Sequence, residues 1–136
     1  MSSGMYNVPE PYNEPVKDYR PGAPEREELK RMLTHLRSKV TDVPMIIGGH
    51  EVRTEDKRES RPPHDLKHLL GYYYMGDKSH VKRAIDAALE ARPAWQSLVW
   101  DQRAAIFLKA ADLISGPYRA KINAATMLAQ SKNVHQ

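Results

Sequence analysis

His64-Asp-Leu-Lys-His68 places two histidines four residues apart, the spacing at which one helix face can present both to a metal ion. The zinc-protease helix H-E-x-x-H carries a general-base Glu directly after its first His; here that position holds Asp65. No third ligand is evident, and Pro62-Pro63 directly upstream favours a loop or strand over a helix. His35, His50, His80 and His135 are scattered among polar residues and pair with no visible nucleophile. Serine fares no better, because the G-x-S-x-G elbow is absent. Glu55-Asp56 lies in a charged turn, where solvation is the simplest role for both carboxylates. Gly48-Gly49 meets neither the G-x-G-x-x-G nor the Walker spacing of a phosphate cradle. Cysteine is absent, which removes disulfides, thiolate metal sites and a cysteine nucleophile. The reading is therefore no catalytic, no cofactor-binding and no metal residue in this chain.

Composition narrows the classes further. A chain of 136 residues suits one domain, which would bury roughly two-thirds of its unfolded surface if it folded alone. The formal charge of +4 invites a nucleic-acid partner. Yet basic and acidic residues alternate, as in Glu25-Arg-Glu-Glu-Leu-Lys-Arg31 and Arg53-Thr-Glu-Asp-Lys-Arg-Glu59, and such mixing marks a solvated face. No nucleic acid is expected. No apolar run reaches the ~20 residues of a bilayer span, so no membrane is expected either. The first twenty residues hold Glu10, Glu14 and Asp18, with no basic residue before Lys17. They look like neither an Arg-rich transit peptide nor a secretory signal.

The elements follow from punctuation and periodicity. Residues 1–22 contain Pro9, Pro11, Pro15 and Pro21 and read as an extended arm lying along a larger body; a Pro-rich ligand for a small binding domain is the alternative. Residues 23–136 form the rest. Pro24 opens a helix, with Glu25, Glu27 and Glu28 near its positive end. Leu29, Met32, Leu33, Leu36 and Val40 make its apolar stripe. Val43–Ile47 and His50–Arg53 flank Gly48-Gly49 as a hairpin. Further strands are expected at Glu59–Arg61 and Leu69–Met75, the latter with Tyr72, Tyr73 and Tyr74 alternating faces.

Helices occupy the remainder. Asp77 caps Lys78–Ala91, with Val81, Ala84, Ile85, Ala88 and Leu89 turned inward and Pro93 ending it. Trp95 and Trp100 fall on the connection, and Asp101 caps the next helix. That helix has Ala104, Phe107, Leu108, Ala111 and Ile114 on one face, and Ile106, Ala110 and Leu113 on the other. A helix apolar around so much of its circumference expects cover on several sides. Gly116 stops it and Pro117 starts a last one, Tyr118 to about Lys132, which lacks an ending signal.

The run Arg103-Ala-Ala-Ile-Phe-Leu-Lys-Ala-Ala-Asp-Leu-Ile-Ser-Gly-Pro-Tyr-Arg-Ala-Lys-Ile122, followed by Asn123 to Lys132, resembles the N-terminal part of the δ-1-pyrroline-5-carboxylate dehydrogenases. These are aldehyde dehydrogenases that oxidise L-glutamate γ-semialdehyde to L-glutamate. The resemblance extends upstream through Ala84-Ile-Asp-Ala-Ala-Leu-Glu-Ala-Arg92, Ile46-Ile-Gly-Gly-His-Glu-Val-Arg53, Gly22-Ala-Pro-Glu-Arg26 and Asn7–Val16. Ala23, where a capping Ser is common, and Ala129, in the usual Gly-Gln-Ser/Gly-Lys run, are mild departures.

The resemblance implies an α+β fragment: an extended N-terminal arm, one helix, a short antiparallel hairpin region and three helices. It would be the N-terminal part of an aldehyde dehydrogenase cofactor domain. It implies NAD as cofactor of the full-length family, with none expected to bind this chain. In the family a cysteine thiolate attacks the semialdehyde and an Asn amide with a backbone N–H holds the oxyanion. Hydride passes to NAD, and a Glu-activated water hydrolyses the thioester. Those Cys, Asn and Glu residues would lie beyond Gln136. Packing on the rest of the dehydrogenase and on sister subunits of a homo-oligomer, in the mitochondrial matrix, is likewise implied. The chain alone would be inactive. A short non-catalytic isoform that binds full-length subunits and modulates their assembly is the alternative.

Overall fold

The computed structural model describes residues 10–136. The first nine residues of the Pro-rich arm, with Pro9 and most of the Asn7–Val16 match's opening, lie outside the described residues. In chain order the elements are α1 (Pro24–Arg37), β1 (Thr41–Val43), β2 (Met45–Ile47), β3 (His50–Val52), β4 (Lys57–Ser60), β5 (Gly71–Tyr74), α2 (Lys78–Ser97), α3 (Trp100–Ser115) and α4 (Arg119–Gln130). This is the α+β arrangement expected from the sequence.

Pro24 does open α1, and the residue before it, Ala23, makes no side-chain cap. Leu29 is buried, with Met32, Leu33 and Leu36 partly buried around the same cluster. Val40, placed on this stripe from its spacing, is exposed instead. The helix stops at Arg37, where the Ser38 N–H turns back to the Thr34 carbonyl and the Lys39 N–H to the Leu36 carbonyl.

α1 packs along α4. Tyr19 and Leu29 meet Ala124 there, and Ala124 has 0% of its surface exposed. Tyr19 reaches this position through a left-handed backbone, φ 51°. Its carbonyl accepts from Arg26 Nη1 at 2.9 Å and its hydroxyl from Asn123 Nδ2 at 3.1 Å. Arg119 Nη1 donates to the Pro15 carbonyl at 2.8 Å. Residues 15–19 are thus tied to a helix about a hundred positions later in the chain.

The hairpin forms as its glycines require. β2 and β3 pair antiparallel with Met45 opposite Val52, and Gly48 and Gly49 turn with φ 59° and 82°. The other sheet has the order β1-β5-β4. Its β4 lies two residues ahead of the expected Glu59–Arg61, because Pro62 and the turns after it end pairing at Ser60. β5 is shorter than Leu69–Met75, its ends fixed by Leu70 N–H to Ser60 O and Met75 N–H to Asp56 O. β1 was not anticipated as a separate strand. It pairs parallel to β5, Thr41 opposite Gly71, so this region is not solely antiparallel.

The helical boundaries also differ in part. Asp77 caps α2 as expected, accepting from the Ser79 and His80 N–H groups. Pro93 lies inside α2 instead of ending it. It forfeits one backbone hydrogen bond, while the turn beyond it brings Trp95 edge-on to Phe107 of α3, centroids 6.3 Å apart at 80°. Trp95 and Trp100 therefore sit in helices, not on a connection. Val99, not Asp101, holds the cap position of α3, and Asp101 lies in its first turn. α4 begins at Arg119 and ends at Gln130, where Ser131 takes a left-handed conformation, φ 56° and ψ 29°.

A side chain at Gly71 has no room: its Cβ would stand 2.2 Å from the Thr41 carbonyl oxygen, an immovable backbone atom in the paired strand. Gly71→Ala is expected to break β1 from β5 while leaving β4–β5 paired. Amide hydrogen exchange checks this, with Thr41–Val43 losing protection and Lys57–Ser60 keeping it.

Candidate functional site

Several of the polar groups that could have built a catalytic centre hold elements together instead. Asp42 on β1 accepts from the Tyr74 hydroxyl at 2.7 Å and from Arg53 Nε at 2.7 Å. Arg53 also reaches Glu51 at 2.8 Å. The network joins β1, β5 and the end of the hairpin. The Tyr74 hydroxyl first, and Arg53 second, hold the Asp42 carboxyl below the usual carboxylate range. Asp56 is lowered in the same way by its hydrogen bond to Arg58. Glu55-Asp56 is thus part of a charged surface turn with an ion pair within it.

His64 and His68 lie in turns, not on a helix. His64 Nδ1 is 2.8 Å from Ser131 Oγ, and the His68 Nε2 atom is sheltered without a partner among the described residues. No three His, Asp or Glu side chains among the described residues are grouped as metal ligands. A groove of about 400 Å³ runs between α1, α4 and this turn, over Leu33, Met127 and Leu128. At its rim Arg37 pairs with Asp65, and His64 with Ser131.

The start of α2 and the Gly48-Gly49 turn are both occupied by the chain's own contacts. Free N–H groups at a helix start make a ready phosphate site. At α2, preceded by Gly76, those donors are taken by the Asp77 carboxylate, with Ser79 N at 2.8 Å and His80 N at 3.1 Å. Ser79 Oγ and His80 Nδ1 bond the same oxygen, and these contacts hold Asp77 far below the ordinary carboxylate range. Gly48 and Gly49 are spent on the hairpin turn.

What remains is a surface. Val81, Ile85 and Leu89, expected to face inward, are each more than half exposed, although α2 meets the hairpin at β2 and, through Trp95, Phe107 of α3. On α3, Trp100, Ile106, Phe107, Leu108 and Ile114 are exposed likewise, Phe107 to 67%. Neither helix contains a buried residue. Scattered apolar side chains on a surface are ordinary, but a contiguous set marks an interaction site.

A family model described as "Aldehyde dehydrogenase family" matches residues 51–136. The chain belongs to the aldehyde dehydrogenase family. It is 45% identical to the Delta-1-pyrroline-5-carboxylate dehydrogenase of Agaricus bisporus over 132 residues, 96% of this chain and 24% of that protein. The mitochondrial Delta-1-pyrroline-5-carboxylate dehydrogenase of Homo sapiens is 42% identical over 124 residues, 91% of this chain and 22% of its own length. A crystal structure of the Mycobacterium tuberculosis Delta-pyrroline-5-carboxylate dehydrogenase, bound with NAD and cobalamin, superposes with a TM-score of 0.94 at 41% identity. It covers 98% of this chain and 25% of that one. The chain therefore spans about a quarter of the length of these relatives, and its fold is that of their N-terminal part. Sequence reasoning found the family and the apolar circumference of α3; it misplaced the stripe of α2 as buried.

Three variants check the polar contacts. Ser131→Ala removes the bond to His64 and keeps the left-handed backbone, so it should destabilise the chain by about 0.5–1.5 kcal/mol. Ser131→Gly also loses the bond but relieves the backbone, so its urea midpoint should lie above that of the alanine variant. Asp42 is ionised more easily folded than unfolded. Its contribution to stability is therefore complete above the ordinary value of 3.8 and is lost as pH falls toward the lower folded value. Urea midpoints of Asp42→Asn should accordingly fall less steeply than those of the parent chain between about pH 5 and pH 3.

Proposed function

We propose that this chain forms the N-terminal part of an NAD-dependent dehydrogenase that oxidises L-glutamate γ-semialdehyde, the open form of pyrroline-5-carboxylate, to L-glutamate in proline catabolism. The observation that carries this is the extent of the likeness. The general family match starts at residue 51, inside the hairpin, whereas the Agaricus bisporus dehydrogenase aligns over 96% of the chain. The arm and α1 are thus shared with proteins bearing that activity. In this reading residues 1–136 carry no catalytic, cofactor-binding or metal residue and are inactive by themselves. NAD and the reacting aldehyde are held by the remaining three-quarters of the polypeptide, by analogy with relatives of about four times this length. The absence of cysteine accords with that division, since the family's acyl intermediate needs a thiolate.

The structural role assigned to the chain follows from its surfaces. The arm, α1 and α4 close on one another, while α2 and α3 offer apolar faces to the rest of the enzyme and, through it, to a homo-oligomer. A mitochondrial matrix location is proposed from the animal relatives named mitochondrial. The test is a chimera in which residues 1–136 replace the matching segment of the Agaricus bisporus dehydrogenase. NADH formation from pyrroline-5-carboxylate is expected from the chimera and not from the isolated chain. A folded, soluble chimera without activity, beside an active parent enzyme, would overturn the reading.

A further inference from the structure

Ile106, Phe107 and Leu108 are consecutive residues of α3, and all three are more than half exposed. At about 100° per residue they fan over roughly 200° of the helix circumference. Ile114 and Trp100 extend the apolar surface to both ends of the helix. A flat partner covers one side of a helix. A second copy of this chain, docked face to face, would leave part of this fan in water. Only a cleft that receives the helix covers it.

α2 is different. Val81, Ile85 and Leu89 recur every four residues and stay within an arc of about 80°. Beside that stripe Lys82 pairs with Asp86 at 2.7 Å, both well exposed. α2 therefore has one apolar side and one solvated side, as a helix lying on the outside of a larger body does.

The part of the chain that closes its own core does not use either face. Tyr19, Leu29 and Ala124 are buried where the arm, α1 and α4 meet, with Val134 packed against them. The surface that needs cover is thus separate from the surface that folds the chain.

Resting on the proposed function, we infer that α3 is a donated helix: it enters an apolar cleft in the remaining portion of the dehydrogenase, with α2 lying across the rim, and it does so even when supplied on a separate chain. The occupant is committed by two observations, the 200° fan and the length of the relatives, which have about three-quarters of their chain beyond the matched segment. The mode is a helix seated in a groove, where a few large apolar anchors carry most of the affinity. A full-length subunit has its cleft filled by its own equivalent helix and should refuse this chain, which separates the inference from a general affinity for dehydrogenase subunits.

The experiment co-expresses residues 1–136, tagged, with the Agaricus bisporus dehydrogenase from which the matching segment has been deleted. Stoichiometric co-purification and recovery of NADH formation are expected, with little retention of the full-length dehydrogenase. Phe107→Asp and Leu108→Asp, at already exposed positions, should each weaken the complex by about thirtyfold or more while the isolated chain keeps its circular dichroism. Lys82→Glu should leave binding unchanged. No complex while the covalent chimera is active would overturn the inference and leave the proposed function standing. Binding that survives both aspartate substitutions, or equal binding to the full-length enzyme, would overturn it as well. An inactive chimera would instead count against the proposed function.

Discussion

Two stretches about a hundred residues apart, the arm with α1 and the last helix α4, converge on Ala124, and the rest of the chain depends on that convergence. Its small side chain lets α1 approach α4 closely enough for Leu29 and Tyr19 to exclude water from the contact. Burial of this kind is the main source of folding free energy. Here it ties residue 19 to residue 124, and so draws the arm, the first helix and the last helix into one body. Arg26, Asn123 and Arg119 then satisfy the polar groups of the arm that this approach exposes. The sheets and α2 are arranged around that body, with Gly71 admitting β1 to the edge of β5 where any side chain would collide.

The same economy leaves α2 and α3 unfinished. Many of their apolar side chains are more than half exposed among the described residues, while Lys82 pairs with Asp86 and Asp77 caps the start of α2. A site that performs chemistry keeps charged or nucleophilic groups available for a substrate. In this chain Asp42, Arg53, Arg37 and Asp77 are used to hold strands, turns and a helix start. In the function proposed, its contribution to an enzyme is one of architecture. The likeness to a quarter of each Delta-1-pyrroline-5-carboxylate dehydrogenase is the counterpart of that physical picture.

Much of this was legible in the residues, and the exceptions have physical causes. Gly48-Gly49 demanded a turn with positive φ, Asp77 a helix cap, and Pro24 a helix start; each is local chemistry, read within a few residues. β1 escaped notice because Thr41-Asp42-Val43 is three residues long and its partner is β5, thirty positions later. Pro93 stopped the helix on paper, since local propensity cannot include the ring of Phe107 that meets Trp95. Ser131 ends α4 without glycine because its hydroxyl contacts His64, which periodicity cannot reveal. The burial of Val81, Ile85 and Leu89 was misjudged for a related reason. A hydrophobic stripe says that a face needs cover, and it does not say which chain supplies it. For the candidate site, α3 was the informative element: its apolar residues on opposite sides already required more than one neighbour.

The enclosure of α3 in the assembled dehydrogenase is the inference on which the rest turns. It is tested most directly by amide hydrogen exchange across Trp100–Ser115 in the joined protein, with the isolated chain alongside. Slow exchange through α3 in the joined protein and fast exchange in the isolated chain is the predicted result. Fast exchange of α3 in both, with α1 and α4 protected, would contradict it.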